Sequence, residues 1–194
     1  MLKRNITIFI ILAILIVFPL ISYYYLSEGT NYRKTALSEL KDSIKINQFS
    51  LTTSNSIILN NDSLLNKVVL FSLVNHYNES EKSNLENLYN KFKDRTDFCL
   101  VSIQNESNKL NIKSEPNGAN FYSILKSETE IDSLSNVWVK SNSPAIFVVD
   151  IKNNIRKTYK DHSLESFKDV IKHIAILLPM TPNPKATLNR DKEK

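Results

Sequence analysis

From Ile6 to Leu26 the chain is apolar almost without interruption and carries no charge. A helix crosses a bilayer core with roughly 20 such residues, so this run is set apart and the rest must fold without it. Lys3 and Arg4 precede the run, and Glu28 is the first acid after it. A basic flank stays on the cytoplasmic side, which puts the remainder in the periplasm or outside. Pro19 is a candidate kink, and Tyr23, Tyr24 and Tyr25 suit a membrane–water interface. The run is longer than the apolar part of a usual signal peptide, no small-x-small site follows it, and no cysteine ends it for lipoprotein processing. The expectation is a single-pass signal anchor in the inner (cytoplasmic) membrane. Residues 1–5 are then cytoplasmic, 6–26 the anchor, 27–46 a linker with some helix, 47–178 one folded domain and 179–194 a disordered tail.

The formal charge of +5 includes Lys3 and Arg4, and the other Lys and Arg residues are interspersed with Glu and Asp. No stripe tracks a phosphate backbone, which argues against nucleic acid as a partner. The one cysteine, Cys99, lies in the apolar stretch Phe98-Cys99-Leu100-Val101. It cannot form an intramolecular disulfide, and a free cysteine in such a strand reads as a buried structural residue.

Asn31 to Ser43 has a weak helical pattern. Phe49 to Thr52 and Ile57 to Leu59 read as a hairpin turning at Thr53 to Ser56, and Asp62 to Leu65 as a single turn. Lys67 to Val74 is a buried strand that passes through Asn75-His76-Tyr77 into a helix over Asn78 to Lys93. Asn78 can cap that helix, and Glu81 can complete a capping box. Leu85, Leu88, Tyr89 and Phe92 share one face. Asp97 to Gln104 is a second buried strand. Asn105 to Asn117 reads as a loop, Asn120 to Lys126 as a helix with Phe121, Ile124 and Leu125 inward, and Ile131 to Trp138 as a short helix. Ala145 to Ile151 and Ile155 to Tyr159 are strands joined tightly at Lys152-Asn153-Asn154, because Asn tolerates positive φ. Ser163 caps a last helix with Leu164, Phe167, Val170, Ile171, Ile174 and Leu178 inward. Strands joined by a helix run parallel, so the order predicts an α/β fold, a mixed sheet with helices on both faces.

This order resembles the thioredoxin-like superfamily over about Gln48 to Leu178. Phe49-Ser50-Leu51, a hairpin, then Lys67-Val68-Val69-Leu70 is similar to the entry segment of SCO/SenC copper-delivery proteins, TlpA-like reductases and peroxiredoxins. Ser143-Pro144-Ala145-Ile146-Phe147-Val148-Val149-Asp150 is similar to their proline loop and strand, and Asn153-Asn154-Ile155-Arg156 stands where many members have a turn followed by Ile-Arg. Asn66 departs from the glycine common there. The resemblance implies a thioredoxin-like mixed sheet preceded by one transmembrane helix. It also implies a first cysteine at Asn78 and a second at Lys82 (SCO pattern) or Glu81 (TlpA pattern). The SCO metal-binding histidine would fall near Asn142, and Ser143–Pro144 would be cis. An amide and an ammonium replace two thiolates, and neither performs disulfide exchange nor binds Cu(I) as thiolate does.

The reading is a redox-inactive binding or assembly module with no catalytic residue, no metal ligand and no cofactor. It is anchored in the membrane through Ile6 to Leu26 and binds an unidentified protein client, by analogy in respiratory-complex biogenesis, on His76, Tyr77, Asn78, Lys82, Asn142 and Pro144. The alternatives are a copper or metal carrier with non-standard ligands and a thioredoxin-like enzyme of other chemistry. Around His76, His162, His173 and Met180 no ligand spacing occurs, and no nucleophile is spaced with a base; His173 and His162 read as structural or solvent-facing.

Overall fold

The computed structural model describes residues 2–40, 44–105, 120–140, 145–159, 161 and 163–179, with side chains from residue 11 onward. The expected loop from residue 106, the Ser143–Pro144 peptide, Asn142, Pro144, His162, Met180 and the tail from residue 180 lie outside the described residues.

Helix α1 (Leu2–Glu39) contains 38 residues, passes through Pro19, and is long and apolar enough to cross a membrane. The separate helix expected from Asn31 is its continuation. The polar residues after Leu26 change what the helix faces but contain no further proline to stop it, and Gly29 costs only about 1 kcal/mol relative to alanine. Thr30 and Thr35 turn their hydroxyls back onto the carbonyls of Leu26 and Asn31, so neither competes for a backbone N–H.

Strands β1 (Ile44–Lys45), β4 (Val68–Val74), β5 (Phe98–Gln104), β6 (Phe121–Leu125), β7 (Ile146–Val149) and β8 (Asn154–Tyr159) form one sheet in the order β1-β8-β7-β4-β5-β6. β2 (Ser50–Thr52) and β3 (Ile58–Asn60) form a separate antiparallel hairpin. β4 and β5 are parallel, as are β5 and β6, whereas β7 is antiparallel to both β4 and β8. Every residue of β4 and β5 is buried, which is why both read as continuous apolar runs rather than alternations.

Helices α2 (Glu79–Phe92) and α4 (Leu164–Leu177) cover one face, where Leu85, Leu88, Phe167, Val170 and Ile174 pack on Val68, Leu70 and Val148. The β2–β3 hairpin and α3 (Glu128–Val139) cover the other, with Leu51, Leu59, Ile131 and Trp138 against Val69, Phe71, Val101 and Phe147. Asn153 takes φ 62° in the β7–β8 turn, as its type allows.

Four expectations are corrected. Asn120 to Lys126 is not a helix: Phe121–Leu125 is β6, paired along β5. Five residues are too few to bury a helical stripe but enough to extend a sheet, and Phe, Tyr and Ile suit a strand. The α3 helix starts at Glu128, earlier than Ile131, because Glu130 Oε2 reaches back to accept from the N–H and hydroxyl of the N-cap Ser127. Leu164 is 59% exposed rather than inward, since it opens the first turn beyond the Ser163 cap. The linker ends in β1, whose Ile44 and Lys45 pair with Ile155 and Asn154.

Candidate functional site

The carboxyl end of β4 delivers Asn75, His76 and Tyr77 to the start of α2, and the sequence builds that start firmly. Asn78, at φ −79° and ψ 166°, is the N-cap. Its Oδ1 accepts from the Glu81 N–H at 2.8 Å and from Ser80 Oγ at 2.6 Å, while Glu81 Oε2 accepts from the Asn78 N–H at 3.0 Å. Orphan donors at the helix start are thereby satisfied. Lys82 Nζ donates to Glu79 Oε1 at 2.8 Å, so its ammonium is spent within its own helix.

Tyr77 corrects the expectation of a surface contact, for it is only 5% exposed. Its hydroxyl lies 2.8 Å from Ser72 Oγ and 3.1 Å from Ser102 Oγ, and burial pushes the phenol up to about 12. The polar contacts continue from Ser102 Oγ to Gln104 Oε1 at 3.5 Å and from Gln104 Nε2 to Ser123 Oγ at 3.0 Å. His76 points the other way, its side chain 65% exposed with Nε2 3.2 Å from Glu128 Oε1.

Glu128 belongs to the first turn of α3 and was not expected here. Asn105 Nδ2 lies 3.5 Å from the same oxygen, and Asn75 Nδ2 lies 3.5 Å from Asp132 Oδ1, one turn further along α3. Asn75 Oδ1 is buried with no hydrogen-bond partner among the described residues. The Lys126 ammonium, 2.8 Å from Glu130, joins the N–H and hydroxyl of Ser127 in holding the Glu130 carboxyl down to about 2. Asn105, Leu125, Lys126, Ser127, Glu128 and Glu130 line an open cleft of about 440 Å³.

Thus Asn78 and Lys82 lie at the start of α2 and exposed His76 just ahead of it, while the Tyr77 hydroxyl is buried between Ser72 and Ser102. Asn142 and Pro144 lie outside the described residues; the Ala145 carbonyl accepts from the Leu73 N–H at 3.0 Å, so Ala145 lies beside the end of β4. Glu128, Asn105 and Asp132 were missed because α3 reaches this place only when the preceding segment is a parallel strand. The Ser127-x-x-Glu130 box was the available signal for the start of that helix.

The donors do not fit the two-thiolate copper site that the resemblance implies. Asn78 and Lys82 supply an amide and an ammonium. Cys99 sits inside β5, fully buried, where desolvation pushes its thiol up to about 12. Among the described residues no three His, Cys, Asp or Glu side chains come together as a metal site would require. His173 proves to be wholly buried, between Tyr159 and Glu39.

No protein-family model matches the sequence, and no curated protein matches it by sequence. Solved structures do match the fold. A SCO1/SenC family lipoprotein from Bacillus anthracis superposes with a TM-score of 0.54 at 16% identity, covering 71% of this chain and 98% of that one. BsSco, a member of the Sco family of cytochrome c oxidase assembly proteins, gives 0.54 at 14% identity, over 69% and 92% of the two chains. A protein from Chlorobium tepidum assigned as the thiol:disulfide interchange protein DsbE gives 0.54 at 14% identity, over 71% and 99%. The chain therefore carries the thioredoxin-like fold, with SCO/SenC and DsbE-like proteins among its structural neighbours and a single, buried cysteine of its own.

Proposed function

We propose that this chain is a membrane-anchored thioredoxin-like module that binds or helps assemble a protein client on the extracytoplasmic side, without thiol chemistry. The observation that carries the reading is Asn78. The strand, the helix and the cap are all in place, and Asn78, where the resemblance puts the first sulfur, is an amide engaged in capping. The sole thiol is sealed within β5. The extracytoplasmic side is favoured by Lys3 and Arg4 ahead of the apolar run. Assembly work is favoured by the likeness to BsSco, a member of a family of cytochrome c oxidase assembly proteins, and rests on fold-level analogy. The client would meet the exposed junction, with His76, Asn78 and Lys82 from one helix start and Glu128 from the other.

Two measurements test this reading. The full chain should not accelerate insulin reduction above a protein-free control, and turnover there would end the claim of redox inactivity. A photo-crosslinking residue at His76 should give a discrete adduct in native membranes, whereas the same group at buried Tyr77 should not. A chain that yields no adduct from His76 is not a client-binding module at this face.

A further inference from the structure

The last turn of α1 carries a carboxylate, Glu39, and no basic residue. At a helix C-terminus a negative side chain works against the backbone dipole, so Glu39 does not serve the helix it belongs to. It serves a contact with the domain. Lys157 Nζ, from β8, and His173 Nε2, from α4, lie 2.9 Å and 3.0 Å from its Oε2, and Lys172 Nζ lies 3.2 Å from its Oε1. Both oxygens are thus occupied by groups from two different elements. Lys172 also stands 5.5 Å from the centre of the Tyr32 ring, two turns earlier on α1. The next carbonyl, that of Leu40, receives Arg156 Nε at 3.0 Å and Nη2 at 2.6 Å, which satisfies an orphan acceptor at the helix end. Arg156 is itself steadied by Asp150 at 3.4 Å. Ala36 and Leu40 beneath these contacts are fully buried.

We propose that α1 is a rigid strut rather than a tether: Glu39 and Arg156 clamp its last turns to β8 and α4, so the membrane helix and the thioredoxin-like domain move as one body. Residues 27–39 continue the helix beyond the apolar run, which at about 1.5 Å per residue gives a stand-off of about 20 Å. A flexible linker of the same length would let the domain sample every orientation over the bilayer. The clamped helix gives it one orientation and one height, and so fixes which way the His76–Glu128 face is presented. This inference rests on the membrane-anchored part of the proposed function and not on client binding, so it survives if the client reading fails.

The test is a spin-label distance measurement on the full chain in lipid nanodiscs. One label is placed at Gly29→Cys, where a side chain meets nothing within 4 Å, and the other at exposed Ser83→Cys on α2. Cys99 is buried and stays unlabelled. The otherwise native chain should give one narrow distance distribution, and Glu39→Ala combined with Arg156→Ala should widen it at least twofold. A second pair within the domain, Ser83→Cys with Thr129→Cys, should remain narrow, and Trp138 emission should not shift. A broad distribution without the clamp substitutions, or an unchanged width in the double variant, overturns the strut. If the double variant unfolds the domain, as the second pair would report, Glu39→Gln is scored by the same criterion.

Discussion

At Asn78 a single side chain builds the start of α2. Its amide oxygen takes the Glu81 N–H and the Ser80 hydroxyl, bonds that a thiol makes poorly. Asn78→Ala should therefore cost about 1 kcal/mol of stability, the usual loss on removing a helix N-cap, and Asn78→Ser should recover most of it. Urea unfolding followed by the fluorescence of Trp138, the sole tryptophan, measures both; an unchanged midpoint in the alanine variant would show that the cap carries no energy. This cap was legible because its partners lie within three residues of one another. The inward turn of the neighbouring Tyr77 was not, since it is set by Ser72 and Ser102, one of them a strand away. A tyrosine beside a helix cap offers no period from which to read its direction.

Among the elements, β4, β5 and α2 were legible from their apolar runs and caps. The β6 strand was not, because Phe121, Ile124 and Leu125 fit one side of a helix as readily as they fit a strand. Only the open edge of β5 decides between the two. The seat of α1 was hidden for another reason, as Glu39 meets partners more than a hundred residues away. That seat should respond to acid. Burial, with Lys157 near by, pulls His173 below its ordinary value against the opposing pull of Glu39. The folded state thus prefers neutral His173, and this contribution is present above the ordinary value of about 6.5 and is lost as pH falls through it. The Lys157 hydrogen bond above all holds Glu39 down to about 2. Its contribution is present above the ordinary carboxylate range, about 4.3, and is lost as pH falls from there towards the folded value. The groups facing His173 are Glu39 on α1, Lys157 and Tyr159 on β8, and Lys172 on α4, with Asp169 beyond Lys172. The thermal midpoint of the full chain should drop between about pH 8 and about pH 5, and His173→Gln should remove that drop. A midpoint flat across this window in the native chain would contradict the assignment.

For the molecule as a whole, the thioredoxin-like architecture carries one sulfur from cysteine, Cys99, buried inside β5. Asn78 and Glu81 are the N-cap and third residue of α2, at the spacing of the TlpA-like pair. A helix N-terminus lowers a thiol's pKa. Asn78→Cys with Glu81→Cys should therefore form an intramolecular disulfide, read as a loss of two hydrogens by mass spectrometry, and gain measurable insulin reduction. A double variant that stays reduced in air would show that the junction lacks the geometry a disulfide requires.

The polar row beneath that junction has a further consequence. Ser72 pairs with Ser102, and Ser102 with Ser123, across three parallel strands. Strands buried on both faces lack the inside–outside alternation that normally forbids slippage, and β4 and β5 would otherwise tolerate many alignments. A slip by one residue would strand these hydroxyls and Tyr77 among aliphatic side chains, at about 1–3 kcal/mol for each polar group left unpaired. The three serines act as alignment marks that let an almost featureless apolar sheet assemble in a single way.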